Sequence, residues 1–324
     1  MGERAIRWGV LGTGGIAAVF TEDLLALPDH EVVAVGSRAE GTARAFADRY
    51  GVARAHGSYA ALAADAGVDV VYVATPHPLH REPAALCLEA GRAVLVEKPF
   101  TTSVADAAAL AALARERNLF AMEAMWTRFN PLVRRGYALA ADGAIGEVTA
   151  VYADFSIAPA YDPANRLWDA DLAGGALFDL GCYALSFTWP LLGAPDTVRS
   201  VTAPAPTGVD ANTGILLGYD SGALALLHCG LRGDSPHTAT VVGTRGRLEF
   251  AAPFYRPGAL TLVRTGAEPE TFTTELPGHG YGYQAREVAR CLRAGLTESP
   301  LMPLDETVAI LATIEAVRAQ AGAG

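Results

Sequence analysis

Lysine is almost missing from this chain. Of the 25 basic residues among 324, 24 are arginine and only Lys98 is lysine. A guanidinium keeps its proton in a protein, whereas an ammonium can give one up when its pKa is lowered. The single ammonium therefore marks a candidate for proton chemistry. Cysteine is scarce too. Cys87, Cys182, Cys229 and Cys291 lie far apart with no C-x-x-C pair, which excludes a disulfide frame and a cysteine zinc site and reads as buried thiols in a reducing compartment. No apolar run reaches the roughly 18 residues that a membrane helix needs. Positive charge is in deficit, with 35 Asp and Glu against 25 Lys and Arg and a net charge of −10. That balance leaves no electrostatic footprint for nucleic acid or for an anionic membrane.

What is present is a core. The chain is 51% hydrophobic and 19% charged, as expected of a globular protein, and its length favours two domains over one. The N-terminal MGERAIRWGVLGTGG is charged and then glycine-rich, without the apolar stretch of a secretion signal. A cytoplasmic location is expected.

The first 122 residues alternate in type. Apolar strand-like runs at 5–11, 31–37, 68–75, 92–97 and 118–123 are separated by helical stretches near 15–27, 41–50, 79–90 and 103–117. Such an order predicts a parallel, doubly wound α/β sheet covered on both faces, a Rossmann domain over 1–122. From residue 123 the pattern changes. A helix near 130–142 precedes strand-like stretches near 147–157, 197–204, 211–219, 222–231, 237–243, 246–251, 259–264 and 271–276. Short turn signals between them predict a large, mostly antiparallel open sheet. Helices near 174–192, 281–295 and 304–320 complete an α+β domain over 123–324. No internal repeat or low-complexity linker interrupts it.

Gly12-Thr13-Gly14-Gly15-Ile16-Ala17 follows the first strand and opens the first helix. It fits the G-x-G-x-x-G/A pattern of dinucleotide binding, with Gly12 for the tight turn and Gly14 for close approach of a pyrophosphate. Small Ala17 allows helix and strand to pack closely. At the end of the second strand an acidic residue would hold the ribose hydroxyl of NAD. Ser37-Arg38 stands there instead, a hydroxyl and a guanidinium suited to a 2′-phosphate, with Glu40 close by. NADP is expected over NAD, although NAD stays open.

Ligands of an open parallel sheet bind outside the carboxyl ends of its strands. Thr75 and Pro76 end the third strand, and Glu97, Lys98 and Pro99 end the fourth. Lys98 is thereby expected beside a nicotinamide ring. His80 begins the next helix and reads equally as a cofactor contact or as a packing or capping histidine. His77 is the weaker candidate. In the second domain Asp179 and Tyr183 are four apart in the helical segment that starts at Gly174, so they share one face. A carboxylate and a phenol beside an ammonium make an acid–base group for oxidising an alcohol. Local pairing of Asp179 and packing of Tyr183 are the alternatives that spacing leaves open. No Cys/His cluster has metal-ligand spacing, so no metal is expected.

At these residues the chain resembles the glucose–fructose oxidoreductase/inositol dehydrogenase (Gfo/Idh/MocA) family. The resemblance rests on the Gly12–Ala17 turn, Glu97-Lys98-Pro99, Glu123-Ala124-Met125-Trp126-Thr127-Arg128-Phe129 and the segment from Gly174 to Tyr183. Within the family it is similar to the branch of dimeric dihydrodiol dehydrogenases and NADP-dependent D-xylose dehydrogenases. Many other members carry His where this chain has Tyr183. The resemblance implies that Lys98 and Tyr183 are the catalytic pair, that Asp179 orients substrate, and that Trp126, Arg128 and Trp168 line the pocket. It also implies a homodimer or homotetramer formed through the open face of the second sheet.

The expected activity is reversible hydride transfer between the nicotinamide and a secondary alcohol carbon of a sugar or cyclic diol. Which of Lys98 and Tyr183 exchanges the proton directly is left open by the sequence. Two competing readings remain: a keto-sugar reductase of a biosynthetic pathway, and a non-catalytic dinucleotide sensor. The sensor predicts loss of the lysine or its partner, yet Lys98, Asp179 and Tyr183 are all present.

Overall fold

The computed structural model describes residues 4–321, which form two compact units. The first holds the chain through Trp126 together with Pro277–Val308. The second holds Thr127–Leu276 and the chain from Ala309 onward.

In the first unit the elements run β1 (Ile6–Leu11), α1 (Gly15–Leu25), β2 (His30–Gly36), α2 (Glu40–Tyr50), β3 (Arg54–His56), α3 (Tyr59–Ala63), β4 (Val70–Val73), α4 (Arg81–Glu89), β5 (Ala93–Val96), α5 (Val104–Glu116) and β6 (Ala121–Glu123). The six strands form one parallel sheet in the order β3-β2-β1-β4-β5-β6. Every residue of β4, β5 and β6 is buried, which is why these strands read as unbroken apolar runs and not as alternating ones. Beneath the sheet Phe20 of α1 stacks on Tyr72 at 3.9 Å and meets Trp8 edge-on at 5.4 Å. Burying an aromatic side chain of this kind contributes about 1.5–3 kcal/mol. The strand order reverses between β1 and β4, the point where an open α/β sheet leaves a crevice for ligand. The short β3 and α3 are missing from the sequence reading, because three residues and five residues give too little periodicity to register.

The second unit contains α6 (Pro131–Ala141), β7 (Val148–Ser156), a π-helical turn (Leu177–Gly181) continuing into α7 (Cys182–Leu192), then β8 (Thr197–Pro204), β9 (Asp210–Gly218), β10 (Leu224–Gly230), β11 (Ala239–Gly243), β12 (Gly246–Phe250), β13 (Ala259–Arg264) and β14 (Glu270–Thr273). Its eight strands lie in the order β14-β13-β12-β11-β7-β10-β9-β8. All neighbours are antiparallel except β7 and β10, which pair in parallel at the centre. Burial alternates along β9 as a one-sided strand requires. Val151, Ala153 and Phe155 face inward on β7, whereas Tyr152, Val201, Leu216, Leu224 and Leu226 stand exposed on the strands.

The helices α8 (Gly282–Arg293) and α9 (Leu304–Gln320) close the chain. The sequence pattern alone groups all of 123–324 in one second domain, whereas in the structure Pro277–Val308 lies with the first unit. The reason is a buried carboxylate on α1. Asp23 accepts the backbone N–H groups of His279, Tyr281 and Gly282 at 2.8, 2.7 and 3.2 Å. His30 adds a bond from Nε2 to the Ala285 carbonyl at 3.2 Å, and Ala285, Val288 and Ala289 of α8 are buried.

Candidate active site

The turn after β1 is shaped by main-chain crowding. Gly12 has φ +111°, and a Cβ there would stand 2.6 Å from the Ala74 carbonyl oxygen. No side chain but hydrogen is accommodated. Over Gly14 and Gly15 the opposite holds, since a Cβ at either would meet no atom within 4 Å. The start of α1 has no side-chain cap and no acidic residue in its first turn. Its free N–H groups and partial positive charge therefore face open space at the sheet's switch point, and a pyrophosphate fits that cradle. Thr13 and Ile16 flank it half-exposed, while Ala17 is buried against the sheet.

At the end of β2 the Ser37 amide donates to the His56 carbonyl at 3.1 Å. Arg38 follows with its side chain exposed, and Glu40 begins α2. At the end of β4 Thr75 spends its hydroxyl on the Leu79 carbonyl at 2.7 Å, and Pro76 precedes a short 3₁₀ turn over His77–Leu79. His80 is wholly buried. Its Nδ1 and Nε2 each lie 2.8 Å from a main-chain carbonyl, those of Pro99 and Thr75, and burial pushes its pKa down. Both ring nitrogens thus meet main-chain carbonyls of the segments that follow β4 and β5.

The main chain around Lys98 is braced on both sides. Glu97 is buried, accepts the Tyr72 hydroxyl on Oε1, and takes the Lys98 amide on Oε2 at 3.1 Å. His80 binds the Pro99 carbonyl, and Glu123 at the end of β6 accepts the Phe100 amide at 3.0 Å. Lys98 itself is half-exposed. Trp126 is buried and stacks on Tyr281 at 4.4 Å.

In the second unit Asp179 lies in the π-helical turn and Tyr183 in α7, both buried. Arg166 grips Asp179 with two nitrogens, Nη1 to Oδ1 at 3.3 Å and Nη2 to Oδ2 at 3.2 Å. The Tyr183 ring packs at 5.5 Å against Phe155 and 5.7 Å from Tyr255, and these two are themselves stacked at 4.3 Å. Burial pushes the Tyr255 phenol up. Arg128 is buried and donates from Nη1 to the Ser186 carbonyl at 2.8 Å, so it braces α7. Trp168 is buried with its indole N–H on the Ala160 carbonyl at 3.1 Å, and it lines a cleft of about 560 Å³ with Tyr161, Pro159 and Arg232. Arg166, Phe155, Tyr255 and Tyr281 are absent from the sequence reading. No motif or spacing joins them to Asp179, Tyr183 or Trp126; only folding does. Among the described residues no group of three His, Cys, Asp or Glu side chains could hold a metal ion, and no helix is long and apolar enough to cross a membrane.

Residues 6–125 match the oxidoreductase family with an NAD-binding Rossmann fold, and residues 133–249 match the GFO/IDH/MocA C-terminal domain. The chain is 37% identical to trans-1,2-dihydrobenzene-1,2-diol dehydrogenase of Bos taurus, over 98% of its own length and 97% of that protein's. It is also 37% identical to D-xylose 1-dehydrogenase (NADP(+)) of Hypocrea jecorina, over 98% and 92%. A crystal structure of a 3-ketoreductase from Actinomadura kijaniata, in complex with NADP and TDP-benzene, matches with a TM-score of 0.85 at 31% identity, covering 98% of each chain.

Proposed function

The chain belongs to the Gfo/Idh/MocA family of oxidoreductases, and we propose that it oxidises a secondary alcohol of a sugar or cyclic diol with NADP, reversibly. The observation that carries this reading is a division of labour. One unit offers an uncapped helix start and a half-exposed Lys98, and the other buries Asp179 and Tyr183 in one helical segment. The chain that joins them matches a diol dehydrogenase and a xylose dehydrogenase from end to end.

The backbone of Gly12–Ile16 would hold the pyrophosphate, and Ser37 and Arg38 would hold the 2′-phosphate that distinguishes NADP from NAD. The chemistry that bound NADP supplies is acceptance of a hydride at the nicotinamide ring. The residues of this chain manage the proton and the oxygen. Tyr183, as the phenolate, takes the hydroxyl proton as the carbon–hydrogen bond breaks, and Lys98 offers its ammonium to the charge that develops on the reacting oxygen. Asp179 orients a neighbouring hydroxyl, and the aromatic surface of Phe155 and Tyr255 suits the apolar face of a ring. Run in reverse, the same groups reduce a ketone, which the likeness to a 3-ketoreductase favours as the second reading.

We also infer a homodimer or homotetramer built on the open face of the second sheet. Tyr152, Val201, Leu216 and Leu226 line a hollow of about 810 Å³ on that face, an apolar surface that solvent does not favour. Four free, buried thiols accord with a reducing cytoplasm.

The test is a panel of aldoses, inositols, cyclic trans-diols and their ketones, scored by NADPH formation or consumption. Turnover confined to NADP with an aldose or diol supports the reading. No turnover of any member, with NADP bound tightly, would leave the protein a dinucleotide sensor.

A further inference from the structure

The helical segment that carries Asp179 and Tyr183 begins without a cap of its own. Ala176, just ahead of the π-helical turn, is itself in a helical conformation and offers no side-chain bond. The amides of a first helical turn still need acceptors. Theirs comes from another strand. Asp210, the first residue of β9 and 33 positions along the chain, accepts the Leu177 N–H on Oδ2 at 2.6 Å.

The approach is close enough to constrain a second residue. Asp210 Oδ1 lies over Gly175, where a Cβ would stand 2.1 Å from it, and Gly175 has φ +107°. A side chain there would meet the carboxylate and would also strain the backbone. Gly175 and Asp210 thus form a fitted pair at the start of the segment. A π-helical turn is a departure from regular helix that recurs at functional sites, and a charge-assisted bond to its first amide is the stronger kind of anchor.

We propose that Asp210 is a positioning residue for the reaction, its carboxylate fixing the Leu177 amide and thereby the placement of Asp179 and Tyr183. The proposal rests on the reading that these two side chains meet the substrate. Burial pushes Asp210 up to about 6, against the Leu177 and Ala176 amides, its own amide and Arg318, all of which favour the charged form. Arg318 lies over the Phe178 ring at 4.7 Å, and the Cys229 thiol also feels the carboxylate. An asparagine would still accept the Leu177 N–H without burying a charge, but without the charge-assisted strength of the carboxylate.

Asp210→Asn and Asp210→Ala test this in the full-length protein. Four quantities are read: kcat and KM on the best substrate of the panel, NADP⁺ affinity, thermal midpoint, and amide exchange across 177–183. In Asp210→Ala kcat should fall at least about tenfold, the size of one lost charge-assisted hydrogen bond. NADP⁺ affinity should stay within about twofold of wild type, and exchange across 177–183 should quicken. Asp210→Asn, which keeps an acceptor, should melt no lower than wild type and still lose part of kcat, a split that a merely structural role does not produce. Wild-type kcat in Asp210→Ala overturns the proposal. So does unchanged exchange, or a kcat loss matched by an equal loss of NADP⁺ affinity. If the wild type turns over no substrate, the proposed function fails, and the exchange measurement alone decides the anchor.

Discussion

Arg166 straddles Asp179, with two guanidinium nitrogens 3.3 and 3.2 Å from its two carboxylate oxygens. The carboxylate side chain is 9% exposed and the arginine 56%. Asp179 is therefore already engaged by a neighbour that solvent reaches. The two contacts hold both carboxylate oxygens in place.

Arg166→Ala should raise KM about tenfold, within the range for a hydrogen bond to a charged group once solvent screening is allowed for. Arg166→Lys should recover only part of it, because an ammonium lacks the planar fork. Steady-state kinetics at fixed, saturating NADP⁺ would show this. An unchanged KM in Arg166→Ala would reduce the pair to a surface ion pair.

Lys98→Arg keeps the charge but misplaces it. We expect kcat/KM to fall at least about 10²-fold, as for an acid–base group, with NADP⁺ affinity little changed. Tyr183→Phe should lose a comparable amount. The double variant should fall far short of the sum, since groups acting as a unit are not additive. Near-wild-type turnover in Lys98→Arg would sink the assignment of the proton chemistry and leave the cofactor site standing.

Arg38 stands exposed at the end of β2. Its removal to alanine should weaken NADP⁺ by about 1.5–3 kcal/mol and NAD⁺ very little. Titration of both dinucleotides by fluorescence separates the two cases. Equal losses would mean that Arg38 does not read the 2′-phosphate.

The buried acid that holds the start of the Asp179–Tyr183 segment has a stability signature of unusual sign. Asp210 has its folded-state pKa raised from 3.8 to about 6, so the folded protein binds that proton more tightly than the unfolded chain does. Its ionisation opposes folding at neutral pH, and the cost vanishes below the unfolded value. The full cost is about 3 kcal/mol above the folded pKa. Urea midpoints of Asp210→Asn minus wild type should accordingly grow as pH rises from about 4 to 7. A difference that is flat with pH would show that the carboxylate is not strained by burial.

Leu216 and Leu226 face each other directly across β9 and β10, and both are exposed. Changing the two to aspartate puts like charges opposite one another on the open face. Sedimentation should then show a monomer-sized species where wild type shows a dimer or tetramer. A wild type that sediments only as a monomer at micromolar concentration would remove the inferred assembly.

Much of this protein was legible in its sequence because the relevant physics is local. Short continuous apolar runs such as Val70–Val73 and Ala93–Val96, bounded by helical stretches, read as strands buried on both faces. The Gly12–Ala17 turn is legible because its glycine spacing and a helix start without a cap are properties of a few adjacent residues, although the crowding that forbids a Cβ at Gly12 comes from the distant Ala74 carbonyl. Lys98 stood out through composition alone. What the tertiary structure decided is a matter of partners brought from far along the chain. Asp23 draws the 277–282 turn onto α1 across 256 to 259 positions, which places α8 in the first unit although nothing in its own periodicity says so. His80 becomes a brace because two carbonyls happen to converge on it, and Arg128 becomes one because Ser186 lies beside it. Asp179 acquires Arg166, Tyr183 acquires Tyr255, and Leu177 acquires Asp210. A side chain's type sets which bonds it can form, but which of those bonds form depends on which distant atoms close packing delivers to it, and periodicity carries no record of that.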